Sequence, residues 1–268
     1  MDITFKNTLA LLQTHRYWEL IQVLVARNLK GRYRGSFLGV YWSLLNPLVM
    51  TGLYTAIFGT AFSQYYDNSI PKYVLAVFTG LIILNFFSTS TMQALSSVVG
   101  NGALLNKIRV PISIFPVSMV AANIFQFVVG ALPLLVIVTL FTSGNILNVL
   151  ALSFPLLGLI FLCMGVSFLV SALYVSFRDL PYFYELLVFA LTIATPIFYP
   201  PEILPEKIRP LLLLNPLLPV IESIRQIALS GKLPDFTLIG NACIGGVAML
   251  IIGWSFFHWK QSQFMDLL

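Results

Sequence analysis

The chain carries very little charge for its length. Only 9% of its 268 residues are Asp, Glu, Lys or Arg, whereas a soluble domain has about 25%. Hydrophobic residues make up 58%, and a globule of this size cannot bury so many, because most residues of a small protein still touch its surface. The composition excludes a soluble globular domain and indicates an integral membrane protein.

Cysteine and the motifs of catalysis are also scarce. Cys163 and Cys243 both lie in apolar segments, which argues against a disulfide framework or a zinc site. Gly231 and Lys232 are followed by Leu233 and lack the upstream glycine of a phosphate-binding loop. Without an acidic pair or a nucleophile–base set, we expect no enzyme activity, cofactor or metal. The net charge of +5 belongs to cations beside apolar runs, as in lipid anchors, so we expect no nucleic-acid partner.

Long uncharged runs replace charge along the chain. A helix needs roughly 20 mostly apolar residues to cross about 30 Å of hydrocarbon. The segments that fit are 37–62, 73–98, 112–141, 149–175, 182–199 and 236–259. We therefore predict an all-α integral membrane protein with six transmembrane helices in a single domain. Residues 1–36 would form its cytoplasmic and interfacial segment, and residues 37–259 its six-span region.

The distribution of Lys and Arg sets the orientation. With the N-terminus inside, ten of the fifteen lie in inner segments and five in outer segments. Cytoplasmic loops carry the excess of these residues. The bias predicts that both termini are cytoplasmic.

Four cations precede the first span within eight residues: Arg27, Lys30, Arg32 and Arg34. A charge in hydrocarbon costs about several kcal/mol, whereas a cation at an anionic lipid surface gains about 1 kcal/mol. The run therefore marks a membrane boundary. Apolar residues recur at nearly helical spacing over residues 15–30, which predicts a helix lying in the inner interface. An ordinary solvated helix is the alternative.

Prolines punctuate the connection between the last two spans. Residues 200–235 contain seven of them around the apolar run 211–214, which is too short to cross the membrane. Two half-helices that dip into the outer leaflet would explain the pattern, and so would an amphipathic cap on the outer surface. Periodicity does not choose between them.

Aromatic and amide side chains are the candidates for cargo contact within the spans. Amides in membrane helices usually bond helix to helix, and Glu185 is the sole acidic residue in a predicted span, so ion coupling is poorly supported. Aromatic faces can stack on sugar rings, although packing and the interfacial belt are the commoner uses. The aromatic candidates for a substrate path are Tyr41, Trp42, Tyr54, Phe58, Phe189 and Tyr199.

Three stretches together carry a resemblance to a known family. They are residues 27–62, with RYRGSFLG at 32–39 and WSLLNP at 42–47; residues 105–116, beginning LNKIRVP; and residues 177–216, with FRDL at 177–180, PIFYP at 196–200 and LNP at 214–216. Their order and spacing resemble the membrane subunits of type-2 ABC exporters of lipid-linked polysaccharides, which include O-antigen, capsule and teichoic-acid permeases.

The resemblance implies a homodimer with two separate nucleotide-binding ABC subunits, which would bind ATP and Mg. The turn 100–110 would be a coupling helix that docks on the ATPase through Asn106, Lys107 and Arg109. Arg178 and Asp179 would form a second contact. Alternatively, these residues only hold their loops at the membrane interface.

The resemblance also implies that spans one and five border the translocation path, with re-entrant helices at the outer mouth. Arg27, Lys30, Arg32 or Arg34 would meet the lipid pyrophosphate at the entrance, although ordinary anionic membrane lipids would attract the same cations.

The function expected from the resemblance is ATP-driven export of an undecaprenyl-linked glycan or teichoic-acid polymer across the bacterial cytoplasmic (inner) membrane. A type-2 ABC exporter of a small drug or lipid is the alternative within the same architecture. An ATP-independent channel or carrier is the alternative outside it.

Overall fold

Helices account for the architecture of the chain. The structure, a computed structural model, describes residues 2–105, 107, 110–207, 209–212, 215–230 and 235–264, and the side chains of residues 17 onward within these ranges except 211. No strand occurs in this part of the chain. The α-helices are α1 (Asp2–Tyr33), α2 (Trp42–Phe62), α3 (Ile70–Leu95), α4 (Gly102–Leu105), α5 (Ile114–Ser143), α6 (Ile146–Ala151), α7 (Ser153–Ser176), α8 (Leu180–Ala194), α9 (Arg209–Leu212), α10 (Leu218–Leu229) and α11 (Phe236–Lys260).

Five of the predicted spans coincide with long apolar helical stretches. In the described residues, the stretches long and apolar enough to cross a membrane are Gly39–Tyr65, Ile70–Leu95, Ile114–Ser143, Ile146–Ser176 and Phe236–Gln263. The all-α class and the membrane character are therefore confirmed.

The predicted span at residues 182–199 is shorter than expected. Its helix, α8, has 15 residues and ends at Ala194, with Thr195 extended at ψ 127°. Pro196 explains the end, because a proline disfavours the helical conformation of the residue before it. At 1.5 Å per residue α8 reaches about 22 Å, less than the hydrocarbon thickness of about 30 Å. The prediction that this helix continues to residue 199 was wrong. The presence of a sixth span stays a prediction.

The N-terminal helix is longer than the predicted 15–30 and packs on one end of the bundle. Ile21 and Leu24 are buried, whereas Trp18 and Val23 are exposed, so one face meets protein and another is free. The buried pair joins an apolar cluster with residues from the ends of other helices: Val98, Leu105, Ile112, Ile114, Phe115, Phe168, Ala172, Val175, Phe257 and Phe264. The start of the chain, the 98–115 connection and the end of α11 therefore share one end of the molecule.

The closest helix pair is α7 with α11, and glycines allow the approach. Gly158 and Gly165 on α7 face Gly246 and Gly253 on α11, each pair spaced by seven residues. A Cβ on Gly253 would overlap the carbonyl oxygen of Gly165. Because small residues let membrane helices touch backbone to backbone, this pair forms a rigid part of the fold.

By contrast, most of the surface of α2 is exposed. Only Pro47, Thr51 and Gly59 are buried along its length. Its exposed apolar side chains include Leu45, Leu48, Val49, Met50, Leu53 and Ile57. The face is large enough to require lipid or another protein surface against it.

Gly253→Ala should destabilise the α7–α11 pair. Forcing a methyl group into a packed site costs about 1–3 kcal/mol, which lowers Tm by several degrees in a chain of this size. Thermal unfolding of the purified protein in detergent measures the shift. Gly245→Ala is the control, because a Cβ there has no atom within 4 Å. Equal Tm values for the two variants would contradict the glycine contact.

Candidate functional site

The predicted path aromatics fall into two groups. Tyr41, Trp42 and Phe189 are exposed and could meet cargo or a partner. Tyr54 instead packs on Phe198, with ring centroids 3.7 Å apart.

Phe58 and Tyr199 belong with Tyr54 in the second group. Phe58 is half-buried and lies between Tyr54 and Phe62 in a stack of rings. The Tyr199 hydroxyl donates a hydrogen bond of 2.9 Å to the carbonyl oxygen of Ile193. These rings have internal contacts that explain them without cargo.

An open groove on α1 collects most of the predicted entrance cations. It has a volume of about 600 Å³ and is lined by Arg27, Lys30 and Arg34 with the small residues Ala26 and Gly31 and with Val23. Arg27 also donates to Asn101 Oδ1 at 2.9 Å. The groove offers clustered positive charge beside the membrane boundary, which suits a phosphate-bearing ligand.

Arg32 has a different environment from the other three cations. Its guanidinium donates to the side-chain oxygens of Gln93 on α3 and of Asn123 and Gln126 on α5. Asn123 in turn donates to Gln93 Oε1 at 2.9 Å. We call these four residues the amide cage. The cage joins α1 to α3 and α5 through uncharged amide oxygens. The Arg32 N–H groups that make these bonds are not available to a phosphate.

Two contacts with an ATPase were predicted. The one at Arg178 and Asp179 is exposed, and the one in the turn 100–110 is described only in part. Lys107 is exposed just after α4, whereas Asn106 and Arg109 lie outside the described residues. Arg178 and Asp179 are exposed immediately before α8, and the Arg178 guanidinium lies 5.8 Å from the centre of the Tyr174 ring.

The backbone that follows α8 depends on a cation that sequence analysis counted only as an outer charge. Arg225, on α10, donates to the carbonyl oxygens of Pro196 at 2.8 Å, Ile197 at 3.0 Å and Ala76 of α3 at 3.0 Å. Gly80 leaves room for it, since a Cβ there would lie 3.0 Å from Arg225 Nη2. We call this arrangement the arginine clamp.

Other side chains complete the support of the same segment. Tyr73 donates to the Phe198 carbonyl at 2.8 Å, and Asn215 Nδ2 donates to Thr195 Oγ1 at 2.7 Å. Burial raises the pKa of the Glu222 carboxyl, one turn before Arg225, and the guanidinium opposes that rise. The sequence signal that could have identified Arg225 is a cation three residues after Glu222, on the apolar face of α10.

The clamp and the cage lie at opposite ends of α3. Seventeen residues separate Ala76 from Gln93, or about 25 Å along a helix. This distance is close to the thickness of the hydrocarbon core, about 30 Å. Each arginine thus lies where a membrane protein tolerates charge, near a boundary and with its donors bonded.

Several long apolar helices, charged clusters confined to their ends and a cationic groove define a multi-span α-helical membrane protein. The ABC-2 type transporter model matches residues 19–229, which is most of the chain. The chain therefore belongs to the ABC-2 type transporter family, and the resemblance in the three sequence stretches is confirmed.

Curated relatives match over almost their whole length. The O-antigen export system permease protein RfbA of Myxococcus xanthus is 32% identical over 258 residues, covering 95% of this chain and 97% of that protein. The RfbA of Klebsiella pneumoniae is 30% identical over 271 residues and covers 100% of both. The polysialic acid transport protein KpsM of Escherichia coli is 22% identical over 249 residues, covering 91% of this chain and 95% of that protein.

Arg225→Met should destabilise the protein by leaving carbonyl oxygens without donors. Each buried unsatisfied polar group costs about 1–3 kcal/mol, so we expect a clear fall in Tm, with partial recovery in Arg225→Lys. Thermal unfolding in detergent measures it. Arg209→Met is the matched control, because this exposed arginine also donates to two backbone carbonyls, of Leu204 and Glu202. A Tm loss no larger than that of the control would show that the clamp is dispensable.

Proposed function

We propose that the chain is the permease subunit of an ATP-driven exporter of lipid-linked polysaccharide. The observation that carries the proposal is similarity along the whole chain to permeases named for O-antigen export. A relative named for polysialic acid transport extends the cargo class to capsule-type polymers. The undecaprenyl-linked glycan or teichoic-acid polymer expected from the sequence belongs to this class.

The topology that fits this function has α8 as the fifth of six spans. Its 15 residues are supplemented by the clamped segment 195–199 and by α9 and α10, which would be the re-entrant helices of the outer mouth. The end of the molecule that carries α1 and the end of α11 would then face the cytoplasm, in keeping with the excess of Lys and Arg there. In a bacterium this places the chain in the inner membrane.

The exposed apolar faces support a homodimer. Along α2 and α8 large apolar side chains face outward, among them Leu53 and Ile57 on α2 and Leu186 and Phe189 on α8. Two copies meeting through these helices would enclose the path between them, with Tyr41 and Trp42 close to its inner end. Tyr54, Phe58 and Tyr199 would shape its wall from behind.

Two nucleotide-binding subunits would supply the energy. The connection around Lys107 and the Arg178–Asp179 pair lies at the same end as α1, where a cytoplasmic ATPase could dock. ATP and Mg bound by that partner would drive closure of its dimer, and the 100–110 turn with Asn106 and Arg109 would transmit the movement to the spans. The chain itself would catalyse no reaction.

The cationic groove would receive the pyrophosphate of the lipid carrier. Arg27, Lys30 and Arg34 line it, whereas the donors of Arg32 are bonded to amides. We therefore assign Arg32 to holding α1 against the spans, and the other three cations to cargo recruitment.

Deletion of the gene should trap the polymer inside the cell. We expect loss of surface polymer, cytoplasmic accumulation of lipid-linked polymer and restoration of export by the wild-type gene together with its ATPase partner. Immunodetection on intact and lysed cells measures the distribution. Normal surface polymer in a strain with no second permease would contradict the proposal, and a drug-resistance or lipid phenotype alone would favour a small-molecule exporter.

Replacing Lys30 and Arg34 together by Gln should weaken cargo recruitment. Because two exposed charges that face phosphate are removed, we expect a several-fold higher apparent KM for the lipid-linked polymer, with a smaller effect on kcat. ATPase stimulation by the trapped polymer in reconstituted complexes measures both constants. Lys72→Gln, which removes an exposed cation paired with Asp67, is the control, and an unchanged KM in the double variant would exclude the groove as the entrance.

A further inference from the structure

Polar side chains occur in the middle of α3, away from both charged ends. Asn85 lies nine residues after Ala76 and eight before Gln93, hence about 13 Å and 12 Å from them along the helix. Ser88 and Thr89 follow it, and all three are half-buried. Asn46 of α2, which is exposed, faces the same place. We call these four residues the polar seam.

The seam connects two cavities. A crevice of about 130 Å³ between α2 and α3 is lined by Asn46, Asn85 and Ser88 together with apolar residues. A narrower cleft of about 20 Å³ on the other side of Asn85 is lined by Thr89, Ser43 of α2 and two members of the amide cage. The cleft is large enough for about one water molecule, and the crevice for a few.

A seam of this kind is badly placed for contact with lipid. Midway across the membrane no solvent can bond to amide and hydroxyl groups, and each group without a partner costs free energy. Amides that serve only to join helices would be enclosed between them, as Asn123 is, at 3% exposure. Asn46 and Asn85 instead border an open crevice. The hydroxyls of Ser88 and Thr89 already donate to the backbone and side-chain oxygens of Asn85, at 3.2 and 3.4 Å. The amide donors of Asn46 and Asn85 are therefore the groups that call for water or a polar ligand in the crevice.

The side chains also indicate which ligand fits. Amides and hydroxyls each provide donors and acceptors without charge, which matches the hydroxyl groups of a sugar. A phosphate would need a free cation, and the guanidinium that borders the seam already bonds to three amide oxygens.

We propose that the polar seam binds sugar hydroxyls of the polymer as it passes the middle of the membrane. The inference rests on the proposed function and deepens it, because it assigns cargo contact to uncharged side chains between α2 and α3 in addition to the aromatic residues of α2 and α8. The seam guides the glycan, and the cationic groove receives the carrier lipid.

Asn85→Leu tests the seam, because it keeps the size of the side chain and removes its hydrogen bonds. The probe is the polymer that accumulates in cells lacking the gene. Loss of one net hydrogen bond predicts export slower by roughly five-fold or more, with recovery in Asn85→Gln. The matched control is Asn241→Leu, an exposed amide of α11, whose helix packs on α7 and α10. Export by Asn85→Leu at the wild-type rate, or an equal loss in the control, overturns the proposal.

Thiol labelling provides a second test that does not depend on export. In a background carrying Cys163→Ala and Cys243→Ser, Ser88→Cys should react with a charged methanethiosulfonate in the assembled complex, and the trapped polymer should slow that reaction several-fold. Ile251→Cys, an exposed apolar position on α11, should react slowly with or without polymer. Failure of Ser88→Cys to react overturns the seam even if Asn85→Leu does not assemble. If deletion of the gene does not trap polymer inside the cell, the proposed function is overturned instead.

Discussion

Backbone that leaves a helix in a membrane protein must find other hydrogen-bond partners within the protein, and the segment after α8 finds them in side chains. The helix stops at Ala194 because Pro196 follows, and the carbonyls beyond it receive donors from Arg225 and Tyr73. These donors come from α10 and α3, so one irregular stretch ties three parts of the chain together. That arrangement satisfies the carbonyls that the end of α8 leaves without helical partners.

The remaining spans differ in how the protein packs against them. Backbone contact through glycines fixes α7 against α11, and α3 is buried along most of its length. Few side chains of α2 or α8 are buried. The packing thus leaves the outer faces of α2 and α8 open to lipid or to another protein surface.

Sequence patterns predicted the long spans well, because an apolar run of 20 residues has few alternatives in a membrane protein. They missed the end of α8, although Pro196 was visible, because hydropathy continues through residue 199. The amides within the spans were recognised. Their hydrogen bonds to Arg32 were not predictable, because they depend on how α1 packs against α3 and α5. Arg225 was counted only among the cations of the outer segments, since only the tertiary fold brings the carbonyls of Pro196 and Ile197 to it.

The candidate site was predictable to a similar extent. Clustered cations before the first span indicated the groove, because charge density alone is visible in a sequence. The sequence did not show which of the four would bond to other helices, because the amide partners of Arg32 lie 61 to 94 residues further along the chain. The sequence likewise gave no reason to separate Tyr54 from Trp42. In the structure Tyr54 stacks on Phe198, whereas Trp42 is exposed.

Arg225 and Arg32, from α10 and α1, bond to α3 at two levels about 25 Å apart, at Ala76 and Gln93. Because both arginines are bonded to other parts of the protein, the fold fixes the distance between these two charged levels. A membrane much thicker or thinner than about 25–30 Å would therefore have to deform around the protein. Acyl-chain length in the host membrane thus becomes a physical parameter of the transporter, alongside nucleotide and cargo.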